Sequence, residues 1–200
     1  MIMPKLGMEP IRRQALVEAT IAEIGAVGTL DVTVAQIARR AGMSSALAHH
    51  YFGSKEEIFL AAMRHILTLY GAEVRGALHL ATGPKSRVHA VLAASFSAAN
   101  FRREAVGAWL NFWVLAQTVP QAKRLVAVYQ RRLKSNLLVG LRPLAGARAE
   151  AIAEGLGALI DGLYLRQVLR PGAPDGAAAA AMARDYLAAH LRAEPVQTMK

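Results

Sequence analysis

The chain has 200 residues, 54% of them hydrophobic, enough to bury a sizeable core in one domain or two small ones. It contains no cysteine, which excludes disulfides and thiolate metal sites. A formal net charge of +10 invites a nucleic-acid partner, yet residues 1–65 carry seven Lys and Arg against six acids, so almost all the surplus lies further along. That surplus can speed an encounter with DNA but does not mark where DNA would sit. The opening MIMPKLGMEPIRRQ has no apolar run of signal-peptide length, and nowhere do eighteen uncharged apolar residues run together. The expectation is a soluble, cytoplasmic bacterial protein.

After Pro10, Leu16, Ala19, Thr20, Glu23 and Ile24 fall at helical spacing, predicting a first helix over 11–27 with Gly28 as its stop. Arg12 and Arg13 sit near its N-terminus, against the helix dipole; a nearby phosphate or a solvated turn would each explain them. The next stretch, TVAQIARRAGMSSALAHHYFGSK (33–55), reads as two short helices joined by a tight turn and followed by the start of a third. Thr33 and Gln36 form a capping box, and Val32 and Ile37 a hydrophobic staple. Gly42 supplies a positive-φ stop, Ser44 or Ser45 caps a helix running to Tyr51 or Phe52, and Ser54 with Glu57 caps the third helix. Two short helices around a glycine-containing turn form a helix-turn-helix, whose second helix enters the major groove. The plainer reading is a helical hairpin in the core of some other α-protein.

The run Thr33, Ile37-Ala38, Ala41-Gly42, Ser44, Tyr51-Phe52, Lys55, Glu56 resembles the N-terminal signature of TetR-family transcriptional regulators. It departs at Ala46, where a glycine is usual, at Ala48, where an aliphatic residue is usual, and at His49, in place of a tyrosine that often touches phosphate. The resemblance implies phosphate anchoring by Thr33 and Lys55, with Arg39 as a further phosphate contact. It places base contacts within Ser44 to His50, including Ser45, Ala46, His49 and His50. His50 also reads as part of the seam before Tyr51-Phe52.

The third helix continues from Ser54 to about Leu80, and Thr82-Gly83-Pro84 ends it. Helices follow over 88–101, 105–118 and 120–141. Pro143 and Gly146 interrupt the pattern before an apolar helix over 149–169, a PGAPDG loop at 171–176, and a last helix from the alanine run at 177 to near 191. No segment alternates apolar and polar residues. The fold class is all-α: a three-helix helix-turn-helix module within residues 10–70 and a helical ligand-binding and dimerisation domain over 71–200.

Trp109, Phe112, Trp113 and Ala116 share one helical face. Core packing explains such a stripe; so does a cage whose ring faces hold a quaternary ammonium. Asp161 lies in the apolar stretch GLGALIDGLYLR, where an unpaired carboxylate is costly to bury. A cationic ligand would neutralise it, as would Arg166 or an arginine of a second subunit. Tyr70, Tyr129 and Tyr164 are further candidates for such a cage.

The motifs AWLNFW (108–113), LIDGLYLR (159–166), MPKLGM (3–8) and IRRQ (11–14) resemble the BetI-type branch of the family, the choline-responsive repressors of glycine betaine synthesis. This implies repression of choline uptake and oxidation genes, relieved by choline, with no other cofactor. The alternative is a TetR-like sensor of another organic cation or an apolar drug, controlling an efflux or catabolic operon. Gly155, Gly157 and Gly162 in the penultimate helix suggest close helix approach, either in a four-helix homodimer interface or within one subunit. A two-fold dimer requires a palindromic operator, with recognition helices about 34–36 Å apart. The six histidines form no chelating spacing, there is no HExxH, phosphate loop or nucleophile elbow, and no helix has the lysine-rich polar face of a membrane binder. Neither an enzyme nor a membrane protein is expected.

Overall fold

The computed structural model describes residues 7–192; residues 3–6 of the MPKLGM motif and 193–200 of the C-terminal region lie outside it. Nine α-helices and one 3-10 turn account for the regular structure of the described residues, with no strand among them. The chain divides into two compact units. One joins the residues up to Leu69 with Arg102–Ala127, and the other joins Tyr70–Phe101 with the residues from Val128 on.

The first unit contains α1 (Met8–Val27), α2 (Val34–Arg40), α3 (Ser45–Phe52), the first part of α4 (Lys55–His79), α6 (Arg103–Thr118) and the start of α7 (Pro120–Ala145). Helix α1 begins before the predicted Ile11, and Pro10 falls in its first turn. The N–H groups of that turn have no intrahelical partner, so proline removes nothing there. Gly28 ends the helix at φ +79 as expected, its N–H donating to the Ile24 carbonyl. The core is made by Leu16, Ile24, Val32, Ile37, Ala48, Ile58 and Phe112, all fully buried. Val32 and Ile37, the predicted staple, are among them.

Helix α6 crosses α1 at very short range. A Cβ on Gly25 would stand 2.5 Å from the Glu104 Cα, and one on Gly107 would stand 3.5 Å from the Gly25 Cα. No side chain fits at Gly25. The Asn111 amide then donates to the Gly28 carbonyl (3.1 Å) and to the Gly107 carbonyl (2.9 Å), satisfying an acceptor just past the end of α1.

The second unit contains the rest of α4, α5 (Pro84–Ser95), most of α7, α8 (Ala149–Val168) and α9 (Gly176–Arg192). Leu92, Leu137, Leu141, Leu156 and Ile160 are buried at its centre. Two predicted boundaries are corrected here. The helix expected to reach Phe101 stops at Ser95, because Ser97 and Asn100 favour a turn. The Ser97 hydroxyl donates to Glu73 Oε2 at 2.6 Å, and the Asn100 amide donates to the same carboxylate oxygen and to the Ala94 carbonyl. Helix α7, expected to end near Leu141, runs through Pro143 to Ala145, since a proline in the last, exposed turn removes only one backbone hydrogen bond. The 3-10 turn Gly146–Arg148 then leads into α8.

Candidate functional site

In the first unit the helix-turn-helix is built as its caps predict. The Gln36 N–H donates to Thr33 Oγ1 (3.2 Å) while the Thr33 N–H donates to Gln36 Oε1 (2.6 Å), closing the capping box. The Thr33 hydroxyl proton also goes to Gln36 Oε1 (2.8 Å), so its side chain is already committed to the cap. Gly42 has φ +69, and the Met43 N–H returns to the Ala38 carbonyl. Of the two serines offered as caps for α3, Ser44 does it, accepting from the Leu47 N–H at 3.2 Å. Ser54 likewise accepts from the Glu57 N–H at the start of α4.

These caps present α3 with a buried face, Ala48 and Tyr51, and an outward face of Ala46, His49 and His50 beside half-buried Ser45. Ala48 therefore faces the core and does not read bases. His50 is also corrected: it is exposed, its ring 5.5 Å from that of Tyr51, so it does not belong to a buried seam. Arg39 is exposed at the end of α2 with no ion pair among the described residues, whereas Arg40 is held by Glu23 at 2.6 Å. Lys55 opens α4 with its ammonium 5.4 Å from the Phe59 ring centre. Arg12 and Arg13 do meet α3. The Arg12 guanidinium donates to the Tyr51 hydroxyl (3.5 Å), while Arg13 lies over the Tyr51 and Phe52 rings and pairs with Glu9. Arg12 and Arg13 of α1 thus meet the last turn of α3 at Tyr51 and Phe52.

The effector residues proposed from sequence fall in both units. In the first, Trp109 and Phe112 are buried in α6 and Trp113 is half-buried; the tryptophan rings meet edge-on, 6.1 Å apart. The Trp113 indole Nε1 is enclosed with no acceptor, a donor costly to leave unmet. In the second unit, the Tyr129 hydroxyl donates to Asp161 Oδ1 at 3.1 Å, and Tyr70 stands edge-on to Tyr129. Ser95 donates to the Val91 carbonyl, so the Tyr70 hydroxyl donates to Ser95 Oγ at 3.2 Å. Tyr164 is spent on packing: its ring lies against Phe96 and Phe101, and its hydroxyl donates to the Ser95 carbonyl. This packing by Phe96 and Phe101 had no counterpart in the sequence reading, because the 96–102 turn was read as helix.

Asp161 makes no ion pair among the described residues. Arg166, one predicted neutraliser, points outward. Burial pushes the Asp161 carboxyl up to about 6, partly offset by the Tyr129 hydrogen bond. Burial likewise raises Tyr70 to about 12 and Tyr129 and Tyr164 above the ordinary phenol range, so these are permanent neutral donors. Asp161 also lines an open groove of about 330 Å³ between α7 and α8, with Arg131, Leu133, Lys134, Glu154 and Gly157. Lys134 is already bound to Glu150 and Glu154.

Of the three α8 glycines, Gly155 belongs to packing within the subunit, since a Cβ there would collide with the Tyr186 hydroxyl of α9. A Cβ on Gly162 would meet nothing. Leu165 and Leu169 of the α8 segment and Met182 of α9 are exposed. No helix among the described residues is long and apolar enough to cross a membrane, and no cluster of His, Asp and Glu among them could hold a metal ion.

Known proteins share this arrangement. Residues 16–62 match the bacterial regulatory proteins of the tetR family, and residues 84–192 match the BetI-type transcriptional repressor C-terminal family. The HTH-type transcriptional regulator BetI of Brucella suis is 52% identical over 194 residues, covering 96% of this chain and 98% of that protein. Its namesake from Rhizobium meliloti is 51% identical, covering 96% and 95%. Among solved structures, a Pseudomonas aeruginosa regulator superposes with a TM-score of 0.77 at 26% identity over 91% of both chains. A Saccharomonospora viridis regulator in complex with choline superposes with a TM-score of 0.80 at 22% identity, covering 90% of this chain and 96% of that one, which shows a shared fold. A capped helix-turn-helix, an otherwise helical chain and two family matches covering most of the sequence agree: this chain is a DNA-binding transcriptional regulator, not an enzyme, and belongs to the TetR family on its BetI-type repressor branch.

Proposed function

We propose that this regulator represses genes for choline uptake and glycine betaine synthesis and is released from its operator by choline. The observation that carries this reading is Asp161, a half-buried carboxylate without an ion pair among the described residues, opening on a groove and accepting a hydrogen bond from Tyr129. A quaternary ammonium would neutralise it without donating a proton, and the neutral phenols of Tyr70 and Tyr129 offer ring faces suited to such a cation. A relative in fold has been solved in complex with choline.

The functional division follows residues 10–70 for DNA and 71–200 for effector and dimerisation. Arg39 and Lys55 contact phosphates, with Thr33 fixing the start of α2 through its cap, while Ser44, Ser45, Ala46, His49 and His50 face the bases. A homodimer forms through the outward faces of α8 and α9, where Gly162, Leu165 and Met182 leave room and apolar surface, and it selects a palindromic operator. The test is a calorimetric titration with choline and with its neutral carbon isostere. Choline should bind, the isostere should not, and Asp161→Asn should abolish choline binding. Equal binding of choline by Asp161→Asn, or a response to bulky apolar drugs alone, would overturn the choline assignment.

A further inference from the structure

We infer that His49 reads a base bearing an exocyclic amine, adenine or cytosine, through a ring nitrogen whose tautomer is set by the last turn of α3. The inference rests on the placing of α3 in the major groove. It differs from the phosphate contact that a tyrosine at this position would make.

The geometry begins at Gly53, which closes α3 with φ +75 and ψ −56, a conformation that L side chains rarely adopt. Its N–H donates to the His49 carbonyl at 2.7 Å, and its own carbonyl lies 3.2 Å from His49 Nδ1. A carbonyl oxygen only accepts, so Nδ1 must carry the hydrogen. In the neutral ring Nε2 is then bare and can only accept. His49 is exposed on the same face as Ala46, one turn earlier, whose methyl group leaves space beside the ring.

A bare acceptor selects its partner by chemistry. In the major groove the donors are adenine N6 and cytosine N4; guanine presents N7 and O6, and thymine O4, all acceptors. Phosphate oxygens are acceptors too. Either of those alternatives requires a second proton on His49, whereas the amine contact requires that proton to be absent. The two readings also differ in sequence dependence: an amine contact discriminates among bases, and a phosphate contact does not.

Other charged and titratable groups stand around α3: Arg12 and Arg13 of α1, Arg39 and Arg40 of α2 with Glu23 on Arg40, His50 on α3 itself, and Lys55, Glu56 and Glu57 at the start of α4. They act alike on every single-base variant, so a difference between variants isolates His49.

The experiment selects binding sites for the full-length protein from random duplex DNA. It then measures anisotropy on the selected site and on its single-base variants. One position per half-site should require A or C, and His49→Ala should relax that preference about five- to tenfold while leaving the other positions unchanged. Nitrogen-15 spectra of the free protein at pH 8 should show the Nδ1–H tautomer. An Nε2–H tautomer, or a loss from His49→Ala that is uniform across base variants, would overturn the proposal, the latter pointing to phosphate. Failure to select any DNA would strike at operator binding itself, a different conclusion.

Discussion

The turns around α2 and α3 and the surroundings of Asp161 solve the same problem, satisfying polar groups near a core, in opposite ways. Around α2 and α3 the partners are local: Thr33 with Gln36, Ser44 with Leu47, His49 with Gly53 and Ser54 with Glu57, none more than four residues apart. Around Asp161 they are remote: Tyr129 is 32 residues from its carboxylate, Tyr70 is 25 from Ser95, and Tyr164 is 69 from the carbonyl it binds. Local bonds make a small module whose shape depends little on the rest of the chain. Remote bonds tie four helices together and leave one carboxylate without a counter-charge. The first arrangement suits a rigid reader, the second a sensor whose equilibrium a ligand can shift.

Substitutions can break this contrast. The largest effect is expected where neither kind of hydrogen bond matters and helices simply touch. Gly25→Val drives a side chain into the Glu104 backbone and should cost about 3 kcal/mol or more, lowering the melting temperature by roughly 6–12 °C. Asp161→Asn should act in two directions. The carboxyl is raised above its unfolded value, so at pH 4–6 the native state holds the proton more tightly than the unfolded chain, and stability falls as pH rises through that window. Removing the charge should therefore stabilise the ligand-free protein at pH 7.5, by at most about 3 kcal/mol, while abolishing the choline response. Denaturant unfolding at pH 4 and pH 7.5 measures the first effect, since the gain should vanish at pH 4.

Thr33→Ala sharpens the local side of the comparison. Loss of the cap should cost about 1 kcal/mol in chemical unfolding and leave choline binding unchanged. The smallest effect on the protein itself is expected from Lys55→Ala, whose ammonium lies beside the Phe59 ring and makes no ion pair among the described residues. Operator affinity should drop for every sequence alike, and the slope of log affinity against log salt should flatten by about 1 per subunit. An unchanged slope would remove Lys55 from the phosphate contacts.

The same contrast governs what could be read from the chain. Capping boxes, stops and staples are contiguous patterns, so α2, α3 and the start of α4 were legible almost to the residue, and the tetR-family assignment followed from them. Asp161 was legible as an anomaly, a charge in an apolar run, and its lack of an ion pair among the described residues agrees with that. Its hydrogen-bond partner was named only as one tyrosine among three. What stayed hidden depended on distance. Asn111 looked like part of an aromatic motif, yet it closes the end of α1, 83 residues away. Tyr164 looked like a cage wall and is packed against Phe96 and Phe101, because Ser97 and Asn100 turn the chain for Glu73, a residue on another helix. His50 was misplaced by one face because a short helix gives too few apolar positions to fix its rotation.

The unpaired state of Asp161 also bears on what the regulator would measure. A carboxyl titrating near 6 is partly protonated in mildly acid solution, and a quaternary ammonium has no use for the protonated form. Each cation bound there would displace whatever fraction of a proton the site held. Occupancy would then follow the ratio of effector to hydrogen ions, with half-saturation shifting tenfold per pH unit well below 6 and not at all well above it. In such conditions the chain would act as a comparator of two concentrations, and in neutral solution as a simple gauge of one.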